Sequence, residues 1–533
     1  MFRRHELDCP NAIFPAQKPK NLNPCRVILC VAASVLVLAA IIILNAVGAL
    51  PDESFWAGIA AAPLVTALVS VNLIMIIVIA CGPSGKLVIG GTEAKPNIST
   101  AAWLALLFSA GVGSGVPMWL FAEPPTHLPA ISEIAFPGAA GADPAVTSLR
   151  LTFFHWGLHA WGLYIVLALA TASIKRVQPG LRAAFADALP FGGALSADLA
   201  VTVKIVATLI GFAVSLGFAL LLLDQATLAL PLPIIGAAAV HMGGFEFSLA
   251  HLWPLLLAVA IAALAARRSS VLSCWLSRGS MLLLAGLLGL LIYAGNGLQA
   301  IGLMGQAAFD YLRTLGAQSF WLPADHGANL WQSDWTLFYW AWWFAWAPFM
   351  GTFIAHISHG RRIRELVLAG LLVPSLCAIL AFGLGGGLAL SHGLAALDDA
   401  ATAGFVLINT MIGNDYQRAL ATVFFTAVIL GFTLVSCAAA VTSLMLTTEQ
   451  TSRWAALGWT LAIAIFAWAL KSSGGIETIK SAIIAAAIPM IPVYLILVAG
   501  LFRRLQDATQ DRRPAYAPTA YEIRTNLAAQ KAD

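Results

Sequence analysis

Charge is what this sequence has least of. Only 10% of its 533 residues are Asp, Glu, Lys or Arg, 60% are hydrophobic, and the mean hydropathy is +0.86. A soluble domain carries about 25% charged residues, so a soluble globular protein is excluded. Cysteine is scarce as well: the seven, Cys9, Cys25, Cys30, Cys81, Cys274, Cys377 and Cys437, show no zinc-site spacing and offer no external disulfide framework. The patterns H-E-x-x-H, G-x-S-x-G and the P-loop do not occur, which removes the usual signatures of zinc peptidases, serine hydrolases and nucleotide-driven pumps. No catalytic residue, metal or cofactor is expected. The first 26 residues are polar and mixed in charge and are followed by no small-residue cleavage site, unlike a secretory leader.

What is present is apolar runs of about 20 residues, each enough to cross the hydrocarbon core as a helix. We place twelve, at 27–48, 55–81, 101–122, 151–174, 202–223, 251–266, 280–303, 336–356, 366–391, 419–446, 454–470 and 481–502. The reading is an all-α polytopic membrane protein with tails at 1–26 and 504–533 around a twelve-span domain at 27–503. Lys and Arg concentrate in cytoplasmic loops. With the N-terminus inside, 24 of the 29 fall on the cytoplasmic side, and Arg150, Arg313, Arg418, Lys471 and Lys480 fall outside. Both termini are therefore expected in the cytoplasm of a bacterial inner-membrane protein. The net charge of +4 follows from this topology; the partner it implies is the lipid bilayer, not nucleic acid.

Two spans are interrupted. "SAGVGSGVPMW", 109–119, contains Gly111, Gly113, Gly115 and Pro117, and "AWAPFMG", 345–351, contains Pro348 and Gly351. Either alone says little, since Gly and Pro also serve packing between membrane helices. Interrupted spans at matching places in two halves, however, point to a transporter's binding site. These lie five spans apart, which predicts two repeats of five helices, spans 3–7 and 8–12, after two extra helices. The eighth span is expected to break at Pro348, where the freed backbone needs surrounding protein or a water-filled cavity.

Beside that proline, "DWTLFYWAWWFAWAPFMG", 334–351, concentrates tryptophan. Trp331 and Trp335 suit an interfacial belt, but Trp342, Trp343 and Trp346 cover too broad a helical arc all to face lipid. A second group, "FHWGLHAWGLY" at 154–164, holds Trp156, Trp161 and Tyr164 with His155 and His159. Aromatic faces attract cations that are cheap to desolvate, and quaternary ammonium groups cannot donate hydrogen bonds. A trimethylammonium ligand is the natural candidate, with core packing as the alternative.

At these residues the sequence resembles the betaine/carnitine/choline transporter family. "WTLFYWAWWFAWAPFMGTFIAHISHGRRIREL" on the eighth span is similar to the family signature almost position for position. "FHWGLHAW" on the fourth span, "GVGSG" with "AEP" (122–124) on the third, and "SLG" (215–217) on the fifth follow in the expected order, and the likeness runs from the first span to "LFRRLQ", 501–506. The resemblance implies an inverted repeat of five plus five helices with two added N-terminal helices, homotrimers, and alternating-access transport of a quaternary ammonium solute. It implies an aromatic box of Trp156, Trp161, Tyr164 and Trp343, with Trp346 at the central site and Trp342 lining the approach. It also places Phe349 and Met350 beside the substrate, and puts a substrate carboxylate against the backbone of Gly111, Gly113 and Gly115.

The departures concern ions. Sodium-coupled members have threonines four apart on the fifth span; here Thr208 is followed by Phe212. On the tenth span, Ser436 and Cys437 replace a hydroxyl pair. With Ser109 and Val112 these residues make two degenerate ion sites, because sodium, like other hard cations, prefers oxygen ligands to thiol. Met350 resembles the methionine of the family's sodium-independent exchangers, although methionine is also a packing filler. His356 and His359 stand where the signature has arginines, which leaves the inner gate open to pH control. Asp224, Glu123, His155, His159 and His356 are the candidate coupling groups. The expectation is transport without sodium, set against a proton- or sodium-coupled symporter, a non-transporting solute sensor and an intramembrane enzyme.

Overall fold

The computed structural model describes residues 24–47, 55–56, 61–172, 193–229, 239–242, 245–248, 270–295, 297–394, 399–448 and 453–510. Among them the chain is almost wholly helical, apart from an antiparallel ribbon of β1 (Ala239–Met242) and β2 (Phe245–Ser248). Seven helices among the described residues are long and apolar enough to cross a membrane, or eight with one bent pair counted as a single span. The protein is a polytopic membrane protein.

Helices α1 (Pro24–Ala46) and α2 (Ala61–Cys81) occupy the first two expected spans. The third is divided into α3 (Thr100–Val112) and α4 (Gly115–Trp119), and α5 (Glu123–Glu133) follows. The fourth, expected as one run, is also interrupted: α6 (Pro144–Trp156) gives way at Gly157 to α7 (Leu158–Thr171). Helix α8 (Gly193–Ala229) extends beyond the expected fifth span, and the sixth, 251–266, lies outside the described residues.

Two expectations are corrected. The seventh span is α9 (Ser270–Ala294), and a separate helix, α10 (Gly297–Ser319), starts where the run to 303 was read as continuing. Gln299, Gln306, Asp310 and Arg313 give α10 a polar face that cannot continue a span. The helix does not break at Pro348 either. After α11 (His326–Trp331), a π-helical stretch covers Gln332–Leu337, and α12 (Phe338–Ile357) then runs through Pro348 without interruption. Membrane helices tolerate an internal proline when neighbouring helices surround it, and every residue from Phe338 to Gly351 is buried. The irregularity sits about three to four turns upstream of Pro348, as a π-helical segment, Gln332–Leu337, of the kind found at functional sites.

The remaining helices are α13 (Ile363–Ser391), α14 (Ala403–Met411), α15 (Asp415–Thr447) and α16 (Arg453–Ser472), then the pair α17 (Gly475–Ala487) and α18 (Met490–Gln510), bent by 40° within the expected twelfth span. Helix α12 lies at the centre, packed on α7, α8, α15 and α17. Each of the five cations that the charge count sets outside has a carboxylate partner: Arg150 and Arg313 with Asp310, Arg418 with Asp415, Lys471 with Asp224, and Lys480 with Asp334. At the other end of α12, the Leu87–Ile89 segment exchanges backbone hydrogen bonds with Gly360–Ile363. There the Arg361 guanidinium lies 4.0 Å above the Trp103 ring.

Candidate binding site

The site is built on the break between α3 and α4. A helix that stops inside the protein leaves carbonyls at one end and N–H groups at the other without partners, and an unpaired buried group costs about 1–3 kcal/mol. Side chains from two distant helices supply the partners. The Ser436 hydroxyl of α15 donates to the carbonyls of Ala110 (3.0 Å) and Ser109 (3.3 Å). The N–H of Ser114 donates to the Ser215 hydroxyl of α8 at 3.3 Å, and the Ser114 hydroxyl donates to the Ser215 carbonyl. Gly113 at the break has φ +50°, a left-handed value that side-chain-bearing residues rarely adopt.

Aromatic rings close on this break. A Cβ at Gly111 would lie 2.6 Å from the Trp161 ring, one at Gly113 would lie 2.8 Å from Trp346, and one at Gly115 would lie 2.6 Å from Trp342. The glycines are there because the backbone and the indole rings touch. Met350 also reaches Gly111, its Cε 3.2 Å from where a Cβ would stand.

Trp343 is the wall shared by the other rings. Its centroid is 5.4 Å from Trp156, 5.5 Å from Tyr164 and 6.4 Å from Trp161, and Trp161 meets Tyr164 edge-on at 5.6 Å. All four rings are buried. Three of them turn their polar edges into the backbone: Trp343 Nε1 donates to the His155 carbonyl at 3.0 Å, Trp161 Nε1 to the Trp156 carbonyl at 3.2 Å, and Tyr164 Oη to the Gly111 carbonyl at 3.4 Å. Trp342 stacks on Trp343 at 6.0 Å, and Trp346 meets Trp342 at 5.8 Å while donating to the Gly211 carbonyl at 2.8 Å. The interruption at Gly157 allows Trp156 and Trp161, on separate helices, to converge on Trp343.

Glu123 anchors this cluster, although the sequence marked it only as a coupling candidate. Its carboxylate receives Trp156 Nε1 at 2.6 Å, Tyr339 Oη at 2.5 Å, His155 Nδ1 at 2.8 Å and His127 Nε2 at 3.4 Å, and all of these residues are buried. His155 also reaches the Thr336 hydroxyl at 3.2 Å, and Tyr339 stacks on His155 at 4.6 Å. Glu123, His127 and His155 are the trio among the described residues whose ligating atoms converge, within 4.8 Å. Their spacing is that of hydrogen bonds, and one carboxylate oxygen is already held by Trp156 and Tyr339, so the geometry fits a hydrogen-bonded network better than an ion cage. Tyr339, Thr336 and His127 escaped the sequence reading. Helical spacing carried the signal for two of them: Tyr339 precedes Trp343 by four residues, and His127 follows Glu123 by four.

The residues assigned to degenerate ion sites are largely engaged with the backbone. The Thr208 hydroxyl donates to the Lys204 carbonyl at 2.8 Å. The Ser109 hydroxyl is shared between the Ala105 carbonyl and Ser277. Phe212 fills the space between Trp346 (6.1 Å) and Phe349 (6.0 Å) with a ring that has no oxygen. Val112 and Cys437 are buried. His159 bonds Ser319 at 3.0 Å, away from the box, and Asp224 is paired with Lys471.

Residues 26–510 match the family described as betaine/carnitine/choline family transporters. The chain is 28% identical over 471 residues to the glycine betaine transporter OpuD of Bacillus subtilis, covering 81% of this chain and 84% of that one. It is 28% identical over 472 residues to a glycine betaine transporter of Acinetobacter baylyi, covering 82% and 66%. It is also 28% identical over 450 residues to a glycine betaine/proline/choline/ectoine transporter of Vibrio parahaemolyticus, covering 80% and 76%. With nearly its whole length matched, the chain belongs to the betaine/carnitine/choline family and is a transporter, not an enzyme.

Proposed function

We propose that this protein is a secondary transporter that moves a quaternary ammonium or related methylated-onium solute, of the betaine, carnitine and choline class, by alternating access and without sodium coupling. The observation that carries this reading is the closed cluster of Trp156, Trp161, Tyr164 and Trp343 against the interrupted α3–α4 helix. Such a cluster offers π faces to a trimethylammonium group. The helix break beside it offers N–H groups to a carboxylate. Trp346, Phe349 and Met350 stand next along α12 as the continuation of the path.

Sodium independence is supported by the Phe212 ring between Trp346 and Phe349, which puts a side chain without oxygen at a position where a threonine would supply one to an ion. Twelve spans in an inverted repeat of five plus five, both termini in the cytoplasm of an inner-membrane protein, and a homotrimeric assembly complete the proposal. The orientation is supported by the distribution of Lys and Arg, 24 on the cytoplasmic side against five outside.

The test is uptake of labelled glycine betaine, carnitine and choline into liposomes holding the purified protein, with a sodium gradient, with a proton gradient, or with the same solute preloaded inside. Uptake that needs internal solute and neither gradient is the expected result. Uptake that follows sodium overturns the uncoupled reading.

A further inference from the structure

Of the five cations that the charge count sets outside, Lys480 is the one that, among the described residues, also rests on aromatic rings. It lies on α17, its Nζ 5.6 Å from the centroid of Trp335 and 5.7 Å from that of Phe338, where α12 begins. Asp334 faces the same ammonium at 3.4 Å and Glu477 at 3.8 Å. The two rings head a stack that ends at the box. Trp335 and Phe338 meet Trp119 at 5.8 and 6.0 Å, and Trp119 meets Tyr339 at 6.3 Å. Tyr339 stacks on Trp342 at 6.1 Å, and Trp342 stacks on Trp343. A solute that reaches the box along this stack has to part it. Helix α17 is bounded by two points at which it can pivot: Gly475, at φ +61° with nothing within 4 Å of a Cβ there, and the 40° bend to α18.

We propose that Lys480 is a latch: its ammonium clamps α17 onto Trp335, Phe338 and Asp334, holds the Trp119 stack shut, and is released when the box opens toward the outside. The inference rests on the transporter reading and the orientation above. A lysine that only neutralised Asp334 would extend its ammonium to water. This one lays it over two rings, and a cation on a ring face holds the ring as well as the helix that carries the cation. The contact is also of a strength that can be broken in every cycle. The Lys480 side chain is 17% exposed and that of Asp334 41%, so water reaches both groups as they part. A fully buried pair would strand its charges on opening; a pair at the rim does not, and salt screens it.

The test reads the opening of α17 directly. Ala482, fully buried on that helix, is replaced by cysteine as a reporter, and the rate at which a maleimide labels position 482 is followed by peptide mass in the full-length protein held in nanodiscs. The expected result is that Lys480→Met raises this rate about 3-fold or more over the reporter protein, while Lys480→Arg, which keeps the charge and the ring contact, stays within about 2-fold. Raising KCl to about 1 M, where the screening length falls to about 3 Å, should speed labelling when Lys480 is present and leave the Lys480→Met protein unchanged. Labelling of Lys480→Met at the reporter's own rate overturns the proposal. So does an equal increase in the arginine variant, because the lysine stem would then be packing alone. Should Lys480→Met fail to fold, Asp334→Asn carries the test: faster labelling supports the latch, and an unchanged rate overturns it. A membrane-impermeant maleimide on intact cells tests the orientation separately, since it reaches position 482 only if this end of α12 lies outside. A wild type that moves no labelled onium solute removes the transporter reading before any variant is made.

Discussion

Replacing Trp343 by leucine tests the aromatic box. Trp343 touches Trp156, Tyr164 and Trp161 at 5.4, 5.5 and 6.4 Å, so the substitution removes the one face common to all three. A desolvated cation–π contact contributes about 2 kcal/mol or more, and about 1.4 kcal/mol corresponds to tenfold in affinity. The Kd for glycine betaine should therefore rise roughly 30-fold or more, read by equilibrium binding of the labelled solute to the purified protein. Trp343→Phe, which keeps a π face, should lose less than tenfold. Trp340→Leu controls for packing. That ring is equally buried on the same helix, but it meets Phe154, His155 and His159 instead of the box. It should lower stability and leave the Kd unchanged. A Trp343→Leu protein that binds with wild-type affinity and merely expresses less would refute the argument, because the ring would then be packing alone.

Two further predictions concern the supports of the box. Gly115→Ala puts a methyl 2.6 Å from Trp342 and 3.0 Å from Trp156, so both rings must move; a tenfold or larger loss of betaine binding is expected in the same assay. Glu123→Gln turns an acceptor that serves four donors into a group with donors of its own, leaving at least one partner unsatisfied. A stability loss of about 1–3 kcal/mol should appear as a lower melting temperature together with weaker betaine binding. A variant with wild-type melting and affinity would show that the network does not hold Trp156.

Much of this was legible because membrane solvation writes itself into sequence. Apolar runs and the rarity of charge identify the class, since no other fold tolerates them. The aromatic cluster could be expected because Trp156, Trp161, Tyr164 and Trp343 stand in two aromatic-rich stretches that resemble a family signature, and the structure brings their rings together. Glycine at 111, 113 and 115 marked the interruption of the third span, and the structure adds that indole rings close on that backbone. Pro348 misled: a proline removes one donor, but whether the helix breaks depends on what surrounds it, and α12 is enclosed along its length.

The sequence by itself thus determined the solvent, and it supplied the aromatic side chains and the oxygen-poor Phe212 and Cys437 on which the proposed binding and coupling rest. Only the tertiary structure decided where the backbone yields, at Gly113 and Gly157 and not at Pro348, and what makes that tolerable. Ser436 and Ser215 supply the partners for the interrupted helix from far along the chain. Glu123 became the anchor of the box, and Lys480 came to rest on Trp335 and Phe338, in the same way. A polar group inside a membrane protein is defined by its partner. Partners from 33 to 327 residues away leave no local pattern to read, and folding alone brings them together.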